Sequence, residues 1–215
     1  AITAIAVHPR DSTTVVVGTT GGKIVRIRGN DVDWSGFTET SLEITPPLPS
    51  GTVRGLCIDS GGTVWAAFNT LEATGETVFR LEPGNTAWEV RSTGLPANNP
   101  ALALVIDPTN DSRHFCGFGL GIFKTEDKGA NWTVWDEGLP NSEVRDLVVH
   151  QERRLLRAAT YGRSVWERPI DVVECPAADL YLRDNMLDSG RVTPSPNGER
   201  HPFGPGSEPQ IDWFH

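Results

Sequence analysis

The sequence predicts an all-β chain built from about four copies of one antiparallel unit, followed by an extended, proline-rich tail. Three observations carry this reading. Ile5-Ala6-Val7-His8-Pro9-Arg10-Asp11-Ser12 resembles Leu104-Val105-Ile106-Asp107-Pro108-Thr109-Asn110-Asp111-Ser112, so the chain repeats itself. Behind both copies the glycines stand in register, because Pro9 to Gly18 matches Pro108 to Gly117 and Pro9 to Gly22 matches Pro108 to Gly121. Throughout, apolar and polar side chains alternate with period two between Gly, Pro, Asn and Asp, and no segment carries a helical stripe.

The first unit runs from residue 1 to about residue 45. The second, from about 51 to 92, carries Val53-Arg54-Gly55-Leu56-Cys57-Ile58-Asp59 and then Thr63-Val64-Trp65-Ala66-Ala67-Phe68. The third spans about 99 to 137, and the fourth, about 142 to 170, has three recognisable strands, among them Val144-Arg145-Asp146-Leu147-Val148-Val149-His150 and Leu155-Leu156-Arg157-Ala158-Ala159-Thr160. A period of roughly 45 to 50 residues suits four short strands per unit, which predicts a partial β-propeller of about four blades with four-stranded antiparallel sheets. Gly21-Gly22 and Gly61-Gly62 read as hairpin turns. The blades thus occupy residues 1–170, and residues 171–215 form a separate extended segment or the start of a second β module.

In that second segment Asp179-Leu180-Tyr181-Leu182-Arg183-Asp184-Asn185 alternates like a strand, and Pro194, Pro196, Pro202, Pro205 and Pro209 then interrupt everything up to His215. Proline cannot donate to a sheet ladder, so this stretch is expected to run extended over a surface. Residues 179 to 213 also resemble the start of a module that follows propellers in bacterial extracellular proteins.

Thr125-Glu126-Asp127-Lys128-Gly129-Ala130-Asn131-Trp132 has the residues of a structured hairpin turn. Asp127 can accept hydrogen bonds from the backbone N–H groups that follow it, Gly129 can take the positive φ that closes the bend, and Trp132 can bury between blades. The stretch resembles the Asp-box, the Ser/Thr-x-Asp-x-Gly-x-Thr/Asn-Trp signature of neuraminidase-type and sortilin-like propeller repeats. That resemblance implies an architectural role for Thr125, Asp127, Gly129, Asn131 and Trp132. Tyr161-Gly162-Arg163-Ser164-Val165-Trp166 resembles the Tyr-Gly-Arg-Gly-Val-Trp ending of the last blade in such propellers, with Ser164 in place of the usual Gly. Tyr161, Gly162, Arg163 and Trp166 would then close the final blade.

Asp-box propellers usually have about six or seven blades, so the resemblance implies that this chain is the C-terminal part of a ring. Ala1 opens directly in a strand, with no signal peptide ahead of it. An incomplete ring exposes blade faces and strand edges, so the expected partner is a second polypeptide, a second copy or the missing part of the propeller. The alternative is a complete four-bladed ring closed by the tail.

Composition limits the function classes. No apolar run is long enough to span a bilayer, which excludes membrane insertion through a helix. The net charge of −9 argues against nucleic acid and anionic membrane surfaces as partners. Arg145, Arg153, Arg154, Arg157, Arg163 and Arg168 are interleaved with Glu143, Asp146, Glu152 and Glu167, the pattern of a solvated blade face with cross-strand ion pairs. The 3 cysteines, Cys57, Cys116 and Cys175, are too few for a disulfide framework or zinc knuckle. Cys57 and Cys116 read as buried free thiols, and Cys175 can bridge to either in an exported protein. Asn110-Asp111-Ser112 and Asn131-Trp132-Thr133 fit the glycosylation acceptor pattern, although Asn131 already belongs to the turn.

A sialidase would need three convergent arginines, a tyrosine nucleophile with a glutamate partner, and an aspartate acid/base. The only tyrosines are Tyr161 and Tyr181, and the first sits in the blade-closing motif. A xyloglucanase-like enzyme would need two opposed carboxylates, but Asp59, Asp107, Asp111 and Asp146 stand in no distinguishing motif. Asp59 and Asp107 share one repeat position with His8 and His150, which favours turn capping over catalysis or ligation. No calcium loop, phosphate loop or nucleophile elbow occurs, so neither metal nor cofactor is expected. Trp34, Trp65, Trp88 and Trp135 are candidate sugar platforms, but their strand placement favours core packing. The sequence thus predicts a non-catalytic, extracellular or periplasmic scaffold for a protein or glycan partner. The alternative is the C-terminal part of a glycoside hydrolase.

Overall fold

The computed structural model describes residues 1–29, 36–42, 51–71, 73–139 and 141–171. The chain divides into two units, Ala1–Val172 and Val173–His215. The expected strand at 179–185, the prolines from Pro194 onward, Cys175 and Trp34 all lie outside the described residues.

The first unit is a partial β-propeller. Its first sheet joins β1 (Ile2–His8), β2 (Asp11–Thr19), β3 (Ile24–Gly29) and β4 (Phe37–Ser41) as an antiparallel meander. The second repeats this with β5 (Thr52–Ile58), β6 (Val64–Asn69), β7 (Val78–Leu81) and β8 (Glu89–Val90). The third follows with β9 (Ala101–Asp107), β10 (Asn110–Phe118), β11 (Ile122–Thr125) and β12 (Thr133–Val134). The fourth has three described strands, β13 (Val144–His150), β14 (Leu155–Thr160) and β15 (Val165–Pro169). The first strands β1, β5, β9 and β13 pack in succession and form the inner wall of the arc.

Apolar alternation builds three inter-sheet cores. Ala6, Val16 and Ile24 pack against Val53, Leu56 and Phe68 between the first and second sheets. Trp65, Ala67 and Val78 meet Leu104, Phe118 and Trp132 between the second and third. Phe115 and Ile122 meet Val144, Leu147 and Leu156 between the third and fourth.

Close approach at the inner wall requires glycine. A Cβ on Gly18 would lie 2.5 Å from Val53 Cγ1, and one on Gly117 would lie 2.7 Å from Val144 Cγ1. Gly18 and Gly117, in register between the first and third repeats, are therefore the places where the next blade's first strand sits against β2 or β10. In the second blade the same corner is inverted, with Gly55 on the inner strand opposite Ala67 and against Leu104.

Among the described residues, four sheets share three cores, so the first and last sheets each present one face without a partner sheet. Strand pairing puts Ile5, Val7, Val15, Val17, Val25 and Ile27 together on the outer face of the first sheet. Ile5 is 62% exposed and Val7 54%.

Candidate functional site

The ends of the first strands carry the repeated capping position. Asp59 Oδ1 accepts from the N–H groups of Gly61 and Thr63 at 3.0 and 2.8 Å. Asp107 Oδ1 accepts from the N–H and hydroxyl of Thr109 at 3.0 and 2.8 Å. His8 Nδ1 accepts from Arg10 N–H at 3.1 Å, and His150 Nδ1 from Arg153 N–H at 3.4 Å. The four side chains stabilise tight turns, and two different chemistries serve because each offers one acceptor at the right reach. Neighbouring turns are also tied together, since Asp111 takes both the hydroxyl and the N–H of Ser60.

The Thr125–Trp132 turn joins β11 to β12 at this same end. The Thr125 hydroxyl donates to Asp127 Oδ1 at 2.7 Å and accepts from Gly129 N–H at 3.0 Å. Asp127 also accepts from the backbone N–H and side-chain amide of Asn131, each at 2.8 Å. These bonds, led by the one from the Asn131 side chain, hold the Asp127 carboxyl down at about 2. Lys128 and Gly129 both have positive φ, 56° and 71°. Trp132 is buried against the second blade, where its indole N–H donates to the Arg91 carbonyl at 2.7 Å.

Sequence reading missed the second-blade counterpart. Trp88 precedes β8 as Trp132 precedes β12, each seven residues after the third strand ends, and Trp88 is buried between the first and second sheets. Its turn, Glu82-Pro83-Gly84-Asn85-Thr86, lacks the Thr and Asp of the third blade, so only spacing and the tryptophan reveal it. Trp65 is fully buried and Trp135 packs on Phe115 under the Arg168 guanidinium, so neither offers an open ring face.

In the stretch from Tyr161 to Trp166, Tyr161 is 70% exposed, and Gly162 and Ser164 both have positive φ, 75° and 65°. Ser164 therefore occupies backbone that favours glycine. Its carbonyl accepts from both the N–H and hydroxyl of Thr160. Trp166 donates its indole N–H to the Arg163 carbonyl at 2.6 Å.

The expectation of a solvated arginine face needs correction at Arg154. Arg157 does pair across strands with Glu167 at 2.5 Å. Arg154 instead reaches into the third blade and forks onto the fully buried Asp107 at 2.8 and 2.7 Å, while its Nε donates to Asp171 at 2.7 Å. Arg113 completes the bridge, with Nη1 2.6 Å from Asp171 and Nε bonded to Glu126. Burial raises the Asp107 carboxyl, but the hydrogen bonds from Arg154 and Thr109 outweigh it and the net shift is downward. A turn carboxylate at a shared repeat position is here also the anchor between two blades.

Cys57 and Cys116 are free thiols, and burial pushes both upward. No group of three or more His, Cys, Asp or Glu side chains is placed to hold a metal among the described residues. No helix among them is long and apolar enough to cross a membrane.

One concave feature among the described residues is a hollow of about 190 Å³ lined by Ala4, Ile5, Arg54, Gly55, Leu56, Leu102 to Leu104, Arg145 and Asp146. Each inner strand carries a one-residue register shift near its start, with Thr3, Arg54, Leu102 and Arg145 as the extra residues. A bulge re-aims the side chain it carries, and three of these four line the hollow. The fourth, Thr3, donates to the Val53 carbonyl at 2.7 Å. Arg145 is paired with Glu143 and lies over the Tyr161 ring, 5.1 Å from its centroid. Asp146 accepts from Leu147 N–H at 2.9 Å. Arg54 is exposed and has no ion pair or hydrogen bond among the described residues. Asp146 is the single acidic residue of the lining; Asp59, Asp107 and Asp111 are committed to turns and bridges at the other end of the inner strands.

No protein-family model matches the chain, and no curated protein matches it in sequence. Among solved structures it is similar to the extracellular domain assigned to a hybrid two-component system of B. thetaiotaomicron, with 18% identity and a TM-score of 0.54 over 77% of this chain and 21% of that one. It is similar also to a GH74 xyloglucanase from Xanthomonas campestris, with 16% identity and a TM-score of 0.53 over 77% of this chain and 29% of that one. An extracellular domain assigned to a one-component system of B. thetaiotaomicron gives 17% identity and a TM-score of 0.56 over 78% of this chain and 21% of that one. At such identities the likeness is one of fold. The chain spans between 21% and 29% of the length of these structures.

Proposed function

We propose that the chain is a non-catalytic propeller module of an exported protein, extracellular or periplasmic, that presents its axial hollow and loops to a protein or glycan partner. The carrying observation is the make-up of the hollow: two arginines and one carboxylate, Asp146. Glycoside hydrolysis needs two carboxylates across one bond, and the other acidic candidates hold turns. The extracellular placement of the B. thetaiotaomicron neighbour, represented by two structures, supports an exported protein. The bond pattern from Thr125 to Trp132 supports an Asp-box reading of that turn, with Tyr161, Gly162, Arg163 and Trp166 closing the last blade.

The partner at the outer faces is, on this proposal, a second polypeptide or further blades of the same propeller, covering Ile5, Val7 and the valines beside them. Native mass spectrometry at low micromolar concentration tests it: a species at the 23.4 kDa chain mass means a stable arc alone, and a heavier complex identifies the cover.

A second reading is favoured by one neighbour, the xyloglucanase, of which this chain would represent a part. There a cleft would be completed by residues beyond this chain. Incubation with xyloglucan and with sialylated oligosaccharides discriminates. Release of shorter sugars that Asp146→Asn abolishes would overturn the non-catalytic proposal, and binding without turnover would sustain it.

A further inference from the structure

We infer that the axial hollow is a binding site for a sugar acid, a uronic-acid unit recognised through its carboxylate by Arg54 and Arg145. The inference rests on the binding-module reading and names the ligand class for that site.

Two separate blades deliver a guanidinium to one hollow by the same backbone device. Arg54 and Arg145 are the extra residues at equivalent bulges of β5 and β13, and each is aimed out of the sheet ladder. Arg145 is held by Glu143 and by the Tyr161 ring, both outside the lining, whereas Arg54 has no protein partner among the described residues. A guanidinium fork matches a carboxylate in shape and charge, and one already positioned with a second left unpaired leaves donors for an added anion.

The rest of the lining selects among carboxylates. Asp146 spends one oxygen on Leu147 N–H, and its second oxygen is an acceptor in the same lining as the arginines. A simple carboxylate brings no donor for it and an acidic peptide only its backbone N–H groups, whereas a sugar acid brings several hydroxyls. The accessible lining is mostly polar, because Leu56, Leu102 and Leu104 are buried, and such a lining suits a hydroxyl-bearing ligand over an apolar one. The volume of about 190 Å³ suits one monosaccharide rather than a buried chain.

Calorimetric titration of the purified chain with tri-galacturonate, a neutral xyloglucan oligosaccharide and a poly-aspartate peptide tests this. Tri-galacturonate is expected to bind, weakening as salt is raised, and Arg54→Ala to weaken it about tenfold or more. Arg145→Ala should do likewise, and Asp146→Asn should weaken tri-galacturonate while leaving poly-aspartate unchanged. Arg54 is exposed, so its variant should keep the wild-type melting temperature, and Arg153→Ala serves as an arginine control. Tri-galacturonate binding that survives Arg54→Ala, or poly-aspartate binding as tightly, overturns the inference. Binding of the neutral oligosaccharide alone overturns it yet leaves the binding-module reading standing, whereas silence with all three ligands counts against both.

Discussion

His114 shows what a single residue can do to this fold. It is fully buried in β10, edge-on to Trp65 with ring centroids 4.3 Å apart, and its Nε2 faces the Asp111 carbonyl at 3.0 Å while Nδ1 has no partner. Burial holds it down to about 4, against the pull of the Asp111 carbonyl, Asp59 and Asp111. The unfolded chain takes up this proton near pH 6.5 and the folded chain near 4, so unfolding binds a proton in between. Stability is full above about pH 6.5, falls as pH drops to about 4 and then levels; the shift corresponds to roughly 3 kcal/mol. Urea midpoints measured from pH 7.5 to 4 should fall more steeply for the wild type than for His114→Leu; parallel curves would show that this histidine does not titrate with unfolding. At the same scale, Gly117→Val should destabilise by about 1–3 kcal/mol or more, because its Cβ would meet both Val144 Cγ1 and the Val144 carbonyl, a clash that thermal melts would read directly.

At the scale of elements, the turn from Thr125 to Trp132 was legible because its chemistry is local. The side-chain bonds among Thr125, Asp127, Gly129 and Asn131 join residues within four positions of one another. The capping positions His8, Asp59, Asp107 and His150 were legible for the same reason. What the sequence did not show is whatever a distant element decides. Arg154 reads as one more surface arginine, and its partner Asp107 is 47 positions away. The bulges at Thr3, Arg54, Leu102 and Arg145 leave only a slip in alternation, as in Val53-Arg54-Gly55-Leu56, where the apolar phase shifts after the arginine. Repeat alignment by glycine spacing alone cannot detect it, because the second blade has exchanged its Gly and Ala between strands. The turn makes its own prediction: Asp127→Ala should cost about 1–2 kcal/mol by stranding the Asn131 N–H and the Thr125 hydroxyl. With a folded carboxyl near 2, below its ordinary 3.8, the contribution is present above pH 3.8 and lost as pH falls toward 2. Chemical denaturation at pH 7 and at pH 2.5 should therefore separate wild type from variant at the first pH and bring them closer at the second; equal gaps would place the effect elsewhere.

For the whole molecule the open question is what covers the arc. The outer face of the first sheet gathers Ile5, Val7, Val15, Val17, Val25 and Ile27 without an intervening charge, while the outer face of the fourth sheet interleaves Val148 and Val165 with the Arg157–Glu167 pair. The two faces differ in stickiness, and the first should govern association. Burying one Ile or Val side chain of this kind contributes about 1.5–3 kcal/mol, so the two exposed ones contribute about 3–6 kcal/mol per copy toward association. Ile5→Thr with Val7→Thr keeps β-branched residues in a strand and removes most of the apolar area at the exposed edge. Sedimentation of the isolated chain should show concentration-dependent association in the wild type and a shift toward the monomer in the double variant, with the melting temperature of the monomer little changed. Val148→Thr with Val165→Thr should leave the association nearly intact. If instead the fourth-sheet variant dissociates the wild-type species and the first-sheet variant does not, association runs through the far end of the arc, at β13 to β15.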